Sequence, residues 1–260
     1  MAAACCALIL TLPPSPSRAQ EAEFCALELI LALDVSGSVD VDEFALQTGG
    51  LADALEDPQV IAAIGALDGG AIITMTHWSG ASRQRQMIGW HHVSDEQTVR
   101  GLAAAIRGAG RAWRNYSTAI GEALAHAMAI GQDAPMACMR RVIDVSGDGV
   151  SNEGRPPRPL SDAAVALGYT VNGLVIRGAA PDPLPQYVDE VIAGPGAFVE
   201  VAERFSDYPE AIRRKLLREI DQPLSVSGLL PMRGGGAYTL MAKTTPPGGA
   251  TGTTPRSEHR

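Results

Sequence analysis

In the stretch "LALDVSGSVDVDEF", residues 31–44, an apolar run stops at Asp34, and hydroxyls follow at Ser36 and Ser38. Three oxygen-bearing side chains at alternate positions, with Gly37 between the serines, admit four chemistries: a serine nucleophile, a phosphate cradle, a metal site, or a polar turn that caps the next helix. A nucleophile elbow needs G-x-S-x-G, and neither serine has that setting. A Walker A loop needs G-x-x-x-x-G-K-[ST], and neither Lys215 nor Lys243 follows a glycine-rich loop. A dinucleotide fingerprint needs three spaced glycines after the first strand, and "DVSGSVD" has one. A phosphotransfer aspartate enzyme would want a second acid where Ser36 stands, with a well-placed lysine. A metal site and a capping turn remain.

Two other stretches bear on that choice. Asp148 stands in "IDVSGDG", again at the end of a β-rich run, and Thr118 follows a glycine-containing loop in "NYSTAIGEAL". Doubly wound sheets bind ligands beyond the carboxyl ends of their strands. Three loops meeting there would offer the carboxylates of Asp34 and Asp148 and the hydroxyls of Ser36, Ser38 and Thr118. An all-oxygen set suits a hard cation, and Mg²⁺ takes octahedral oxygen ligands while keeping several waters. The five residues together favour metal over capping; Ser117 competes with Thr118 for its place.

The elements that must position these groups can be read from periodicity. Residues 27–33, 71–78, 141–146 and 170–176 form apolar or β-rich runs, and 83–93 alternates and carries charge like an edge strand. A last short strand is expected over 197–202. Helical spacing covers 42–55, 95–107, 118–130, 160–167, a short 184–192, and a basic amphipathic 205–220. Strands alternating with helices of this length predict an α/β fold with a mostly parallel sheet and right-handed crossovers.

The ends differ in character. Residues 1–19 read as a signal peptide, with small residues at Ser17 and Ala19 before the cut, although a basic n-region is missing. Residues 222–260 are rich in Gly, Thr and Pro and predict a disordered tail after a domain at 25–221. The net charge of -8 argues against a general nucleic-acid binder. No apolar run approaches the length of a membrane span. Cys5 and Cys6 would leave with the signal, and the remaining pair, Cys25 and Cys138, invites a disulfide in an exported protein.

"DVSGSVD", the threonine of "NYSTAIGEAL" and the aspartate of "SGDG", in that order and spacing, resemble the metal-ion-dependent adhesion site (MIDAS) of von Willebrand factor A (VWA) domains. "RVIDVSGDGVSNEG", "VNGLVI", "VIAGPGAFVEVA" and "AIRRKLLREI" further resemble a bacterial domain-of-unknown-function family of exported VWA-like proteins. The resemblance covers about residues 25–221. It implies a doubly wound, Rossmann-like sheet of six strands, mainly parallel with one antiparallel edge strand, and helices on both faces. It also implies that Ser36 and Ser38 bind the ion directly, Thr118 directly or through water, and that Asp34 and Asp148 hold coordinating waters. A sixth position would receive an Asp or Glu carboxylate of a protein partner. Neutral hydroxyls around the ion would leave it electrophilic. Many A domains have Thr-Asp-Gly where this chain has Gly147-Asp148-Gly149, so one supporting hydroxyl is missing. The implied strand order makes the strands of Cys25 and Cys138 parallel neighbours with both cysteines near the far rim, which predicts their bridge.

The expected function is therefore a non-enzymatic, metal-dependent protein-binding module of the bacterial envelope, periplasmic or secreted. Its ion would be Mg²⁺, with Mn²⁺ or Ca²⁺ as alternatives. A metal-dependent hydrolase on the same site and a structural protein with a vestigial site are the rivals; no histidine in the three loops supports the first. Trp113, Tyr116, Asn152 and Glu153 are candidates for a partner-contact rim. Asp40 and Asp42 read as caps of the first helix. His91 and His92 are adjacent and face opposite sides of a strand, which speaks against zinc there or with His77. The sequence does not give an oligomeric state.

Overall fold

The computed structural model describes residues 24–221. The expected signal peptide at 1–19 and tail at 222–260 lie outside these residues. Six strands, β1 (Phe24–Asp34), β2 (Ala71–Trp78), β3 (Gln84–Val93), β4 (Ala137–Gly147), β5 (Tyr169–Ile176) and β6 (Val199–Ala202), form one sheet in the order β3-β2-β1-β4-β5-β6. Only β3 runs antiparallel, at the edge, as its alternating and charged sequence predicts.

Strand β1 lies at the centre and explains the layering. Its side chains alternate between faces. Leu27, Leu29, Leu31 and Leu33 join one buried cluster, while Ile30 and Ala32 join the other. Helices α1 (Val41–Leu55), α2 (Pro58–Gly65), α3 (Glu96–Gly108) and α7 (Tyr208–Ile220) cover the first face. The second face is covered by α4 (Ile120–Gln132), α5 (Pro157–Ala166) and a segment in which α6 (Leu184–Gln186) runs into a π-helical turn, Tyr187–Val191. Both faces of β1 are thus largely apolar, which is why it reads as a hydrophobic run broken only by Glu28, whose carboxylate pairs with Arg141.

Three local details differ from the sequence expectation. Helix α2 has no counterpart there; its eight residues are started by Asp57, whose side chain accepts from Gln59 N, and by Pro58. Helix α4 starts at Ile120, not at 118, because Thr118 is held outside it. Thr118 N donates to Asn152 Oδ1 at 3.0 Å, and its carbonyl accepts from Asn152 N at 2.9 Å. The expected 205–220 helix begins as a 3₁₀ turn, Phe205–Asp207, before α7.

Cys25 and Cys138 pair directly in the β1–β4 register and are joined by a disulfide, with Cα atoms 4.4 Å apart. They close the sheet at the end opposite Asp34. That opposite end, where β1 and β4 run out into loops, carries the candidate site.

Candidate metal centre

Asp34 is the last residue of β1 and is fully buried. The chain then turns sharply. Ser36 N donates to Asp34 Oδ1 at 2.7 Å, Val39 N to Ser36 O at 3.2 Å, and Val35 N to Trp78 O on β2 at 2.9 Å. Gly37 N donates to Tyr116 O at 2.8 Å, which draws the first loop against the second. A Cβ on Gly37 would stand 3.3 Å from both Asn115 Cα and Tyr116 O, so the approach leaves little room for any side chain.

These constraints align a row of oxygens. Ser36 Oγ lies 3.2 Å from Ser38 Oγ, and Ser38 Oγ donates to Asp148 Oδ1 at 2.7 Å. Asp148 follows β4 directly. Thr118 Oγ1 faces the third loop from the side, 3.5 Å from where a Cβ on Gly149 would stand. Thr118 is buried, whereas the competing Ser117 is exposed and uses its carbonyl to accept from Ser79 Oγ. Ser38, Thr118 and Tyr116 line a cavity of about 240 Å³. A second cavity, about 540 Å³, opens beside Ser38 and Asp148 toward Arg177 and Arg204. The three loops thus bring all five sequence-expected residues to one end of the sheet.

The electrostatics of this end are unfavourable to two bare acids. Burial, and after it the charge of Asp148, push the Asp34 carboxyl up to about 8. Burial also raises Asp148, against the opposing hydrogen bond from Ser38. Asp34 Oδ2 is buried with no hydrogen-bond partner. Removing one carboxylate from water is costly, and placing two together is costlier still. A divalent cation would reverse both terms. The two serine hydroxyls, 3.2 Å apart, lie near the separation of about 3.0 Å that neighbouring ligand oxygens take around octahedral Mg²⁺ with bonds of about 2.1 Å. Among the described residues no group of three or more His, Cys, Asp or Glu is placed to hold a metal. An ion at this end therefore depends on hydroxyls.

Arg111 escaped the sequence reading. Its guanidinium donates to Val35 O at 3.0 Å, Ser36 O at 2.8 Å and Asp40 O at 3.3 Å, so it clamps the first loop from behind. Its charge weakly opposes the rise that burial imposes on both site aspartates. The residue has no motif around it; only the fold brings it under the loop.

The remaining expected residues are placed as follows. Asp40 caps α1 in a capping box with Glu43. Asn152 holds Thr118, and Glu153 Oε2 accepts from Ala81 N at 3.1 Å, so both brace loops against each other. Tyr116 is exposed, with Arg83 4.6 Å from its ring centre, and Trp113 is half-buried, with Arg85 at 5.1 Å. His77 is fully buried against Phe44, and burial pushes it down to about 4. His91 and His92 bond separately to Gly89 O and Gly69 O.

The fold is shared with solved structures. A von Willebrand factor type A protein from Catenulispora acidiphila aligns with 19% identity and a TM-score of 0.54, over 75% of this chain and 42% of that one. Proximal thread matrix protein 1 from the mussel byssus, with a zinc-occupied MIDAS motif, aligns with 13% identity and a TM-score of 0.55, over 75% and 46%. The vWF domain of the type V pili tip protein Mfa5 from Porphyromonas gingivalis aligns with 10% identity and a TM-score of 0.53, over 76% and 97%. The chain thus spans less than half the length of the first two, and at these identities the likeness establishes the fold alone. No curated protein matches the chain. The profile of a family described as "Protein of unknown function (DUF1194)" matches residues 24–224. With its VWA fold and this match over most of its length, the chain belongs to the DUF1194 family.

Proposed function

We propose that the protein is a non-enzymatic binding module that recognises a carboxylate on a protein partner through a divalent cation. The observation that carries this reading is the row Ser36–Ser38–Asp148 above the buried, unpartnered Asp34 carboxylate oxygen. Ser36 and Ser38 would hold the ion through their hydroxyls, with Thr118 at its side. Asp34 and Asp148 would balance its charge and orient its waters. The ion, when bound, supplies a Lewis-acidic position for an incoming Asp or Glu oxygen. Mg²⁺ is the ion of this reading, and Mn²⁺ and Ca²⁺ share its preference for oxygen ligands.

The role of this chain's residues is to keep that position electrophilic. Hydroxyl ligands carry no charge, so a cation among them retains more attraction for an acid than one among carboxylates. A hydrolase would want a base facing water beside the ion, and His77 is buried away under Phe44. Matrix and pilus proteins among the fold relatives support an exported location, periplasmic or secreted, and a protein partner.

Calorimetry with Mg²⁺ and Mn²⁺ tests the metal, using wild type and Ser36→Ala. Capture from envelope extract with and without EDTA tests the partner. The expected result is metal binding lost in Ser36→Ala and a captured protein lost with EDTA. A wild type that binds neither ion refutes the reading.

A further inference from the structure

Two glycines inside the sheet have an explanation that lies outside their own backbone. Gly147 ends β4 and Gly173 sits within β5, and neither is among the glycines with positive φ. A strand-interior glycine of ordinary conformation marks a place where something must come close. Here the visitor is Tyr187, at the start of the π-helical turn. A Cβ on Gly173 would stand 2.8 Å from Tyr187 Cδ1, and one on Gly147 would stand 2.6 Å from Tyr187 Oη. The same point above Gly147 lies 3.0 Å from Asp34 Oδ2. The phenol and the unpartnered carboxylate oxygen thus share the space that a side chain at 147 would fill.

Tyr187 is fully buried, and its hydroxyl, like Asp34 Oδ2, has no hydrogen-bond partner. Burial, and then the charges of Asp34, Asp148 and Asp144, keep the phenol protonated, so it is a donor. We infer that Tyr187 is a positioning residue for the metal centre, its hydroxyl supplying from the π-helical turn the support that a Thr-Asp-Gly sequence supplies from position 147. Gly147 and Gly173 form the slot that admits the ring. The two atoms flank that space without a hydrogen bond between them; with the cation in place the phenol would donate to Asp34 Oδ2, the carboxylate oxygen that Ser36 N does not use. This inference rests on the metal-binding reading above and names a residue that reading does not require.

Mn²⁺ titration calorimetry of the full chain tests it, with thermal melts in EDTA as the check on folding. Tyr187→Phe keeps the ring in the slot and removes only the hydroxyl. It is expected to bind Mn²⁺ about 10- to 100-fold more weakly, the range found when a group behind a metal ligand is lost. Gly147→Ser in wild type is expected to weaken binding too, because its Cβ meets Tyr187 Oη. Combined with Tyr187→Phe, the same serine no longer meets the hydroxyl, although its Cβ still lies 3.0 Å from Asp34 Oδ2 and 3.3 Å from Asp34 Cβ, so the double variant is expected to lose less than the sum of the two single losses. A merely structural tyrosine would make the two losses add. Tyr187→Phe binding as wild type does, or a double variant whose loss equals the sum of the two single losses, overturns the inference while leaving the metal site standing. A wild type that binds no Mn²⁺ overturns both. Gly147→Ala displaces the same hydroxyl from the other side and serves if Tyr187→Phe folds poorly.

Discussion

Asp34→Asn should stabilise the metal-free protein while abolishing its response to metal. Asp34 is fully buried, and burial with the Asp148 charge lifts its carboxyl from 3.8 to about 8. An acid whose folded pKa is raised binds its proton more tightly when folded. Its stability contribution is therefore lost as pH rises from 3.8 through about 8. At pH 7 the full linkage would reach about 4 kcal/mol. Asparagine keeps an oxygen to accept from Ser36 N but must itself be desolvated, which leaves an expected net gain of about 1–3 kcal/mol. In a domain of this size that is about 3–10 °C in melting temperature. Metal acts the other way: a ligand at 100 times its Kd stabilises the wild type by about 2.7 kcal/mol, and the variant gains nothing. Thermal melts of both proteins at pH 7, in EDTA and in saturating Mg²⁺, should therefore cross over. Asp34→Asn melting below wild type in EDTA, or rising with Mg²⁺ as much as wild type does, would refute the reasoning.

Lys215 is fully buried, with Nζ 2.7 Å from Asp144 Oδ1 and 2.5 Å from Glu219 Oε1. Lys215→Met leaves two buried carboxylates without their cation and should cost about 3–5 kcal/mol in urea unfolding at pH 7.5; the triple variant with Asp144→Asn and Glu219→Gln should recover most of it. Burial raises Glu219 from 4.5 to about 7 against the pull of Lys215, so wild-type stability should fall as pH rises between those values. Glu219→Gln should reduce that slope, leaving the part that Asp34 contributes over the same range, and an unchanged slope assigns it wholly to other groups. Replacing Cys25 and Cys138 by serine, which opens a link between residues 113 apart, should cost about 2–5 kcal/mol in the same unfolding assay. Two titratable thiols in the denatured, non-reduced wild type would show that the bridge does not form.

Much of the fold was legible because its signals are local. The apolar runs of β1 and β2, the edge character of β3 and the Asp40 cap each depend on a few neighbouring residues. Helix α2 was missed because its eight residues carry too short a pattern to stand out. Thr118 was assigned to α4 because its neighbours are good helix formers, and only the distant Asn152 holds it in the loop.

The site divides the same way. Asp34, Ser36, Ser38 and Asp148 could be singled out in the sequence because their types and spacing follow strand ends, where wound sheets bind ligands, and Thr118 because it follows a glycine-containing loop. Their convergence, and the buried unpartnered oxygen beneath them, came only with the tertiary structure. Arg111 and Tyr187 lie 77 and 153 positions after Asp34 and carry no local mark. The helix read from sequence as basic and amphipathic turned Lys215 inward to two acids, one of them on β4. Sequence fixes which groups a chain carries and which local shapes they favour. Burial, and with it the local dielectric that makes a charge costly or a hydroxyl valuable, is decided only when distant segments pack.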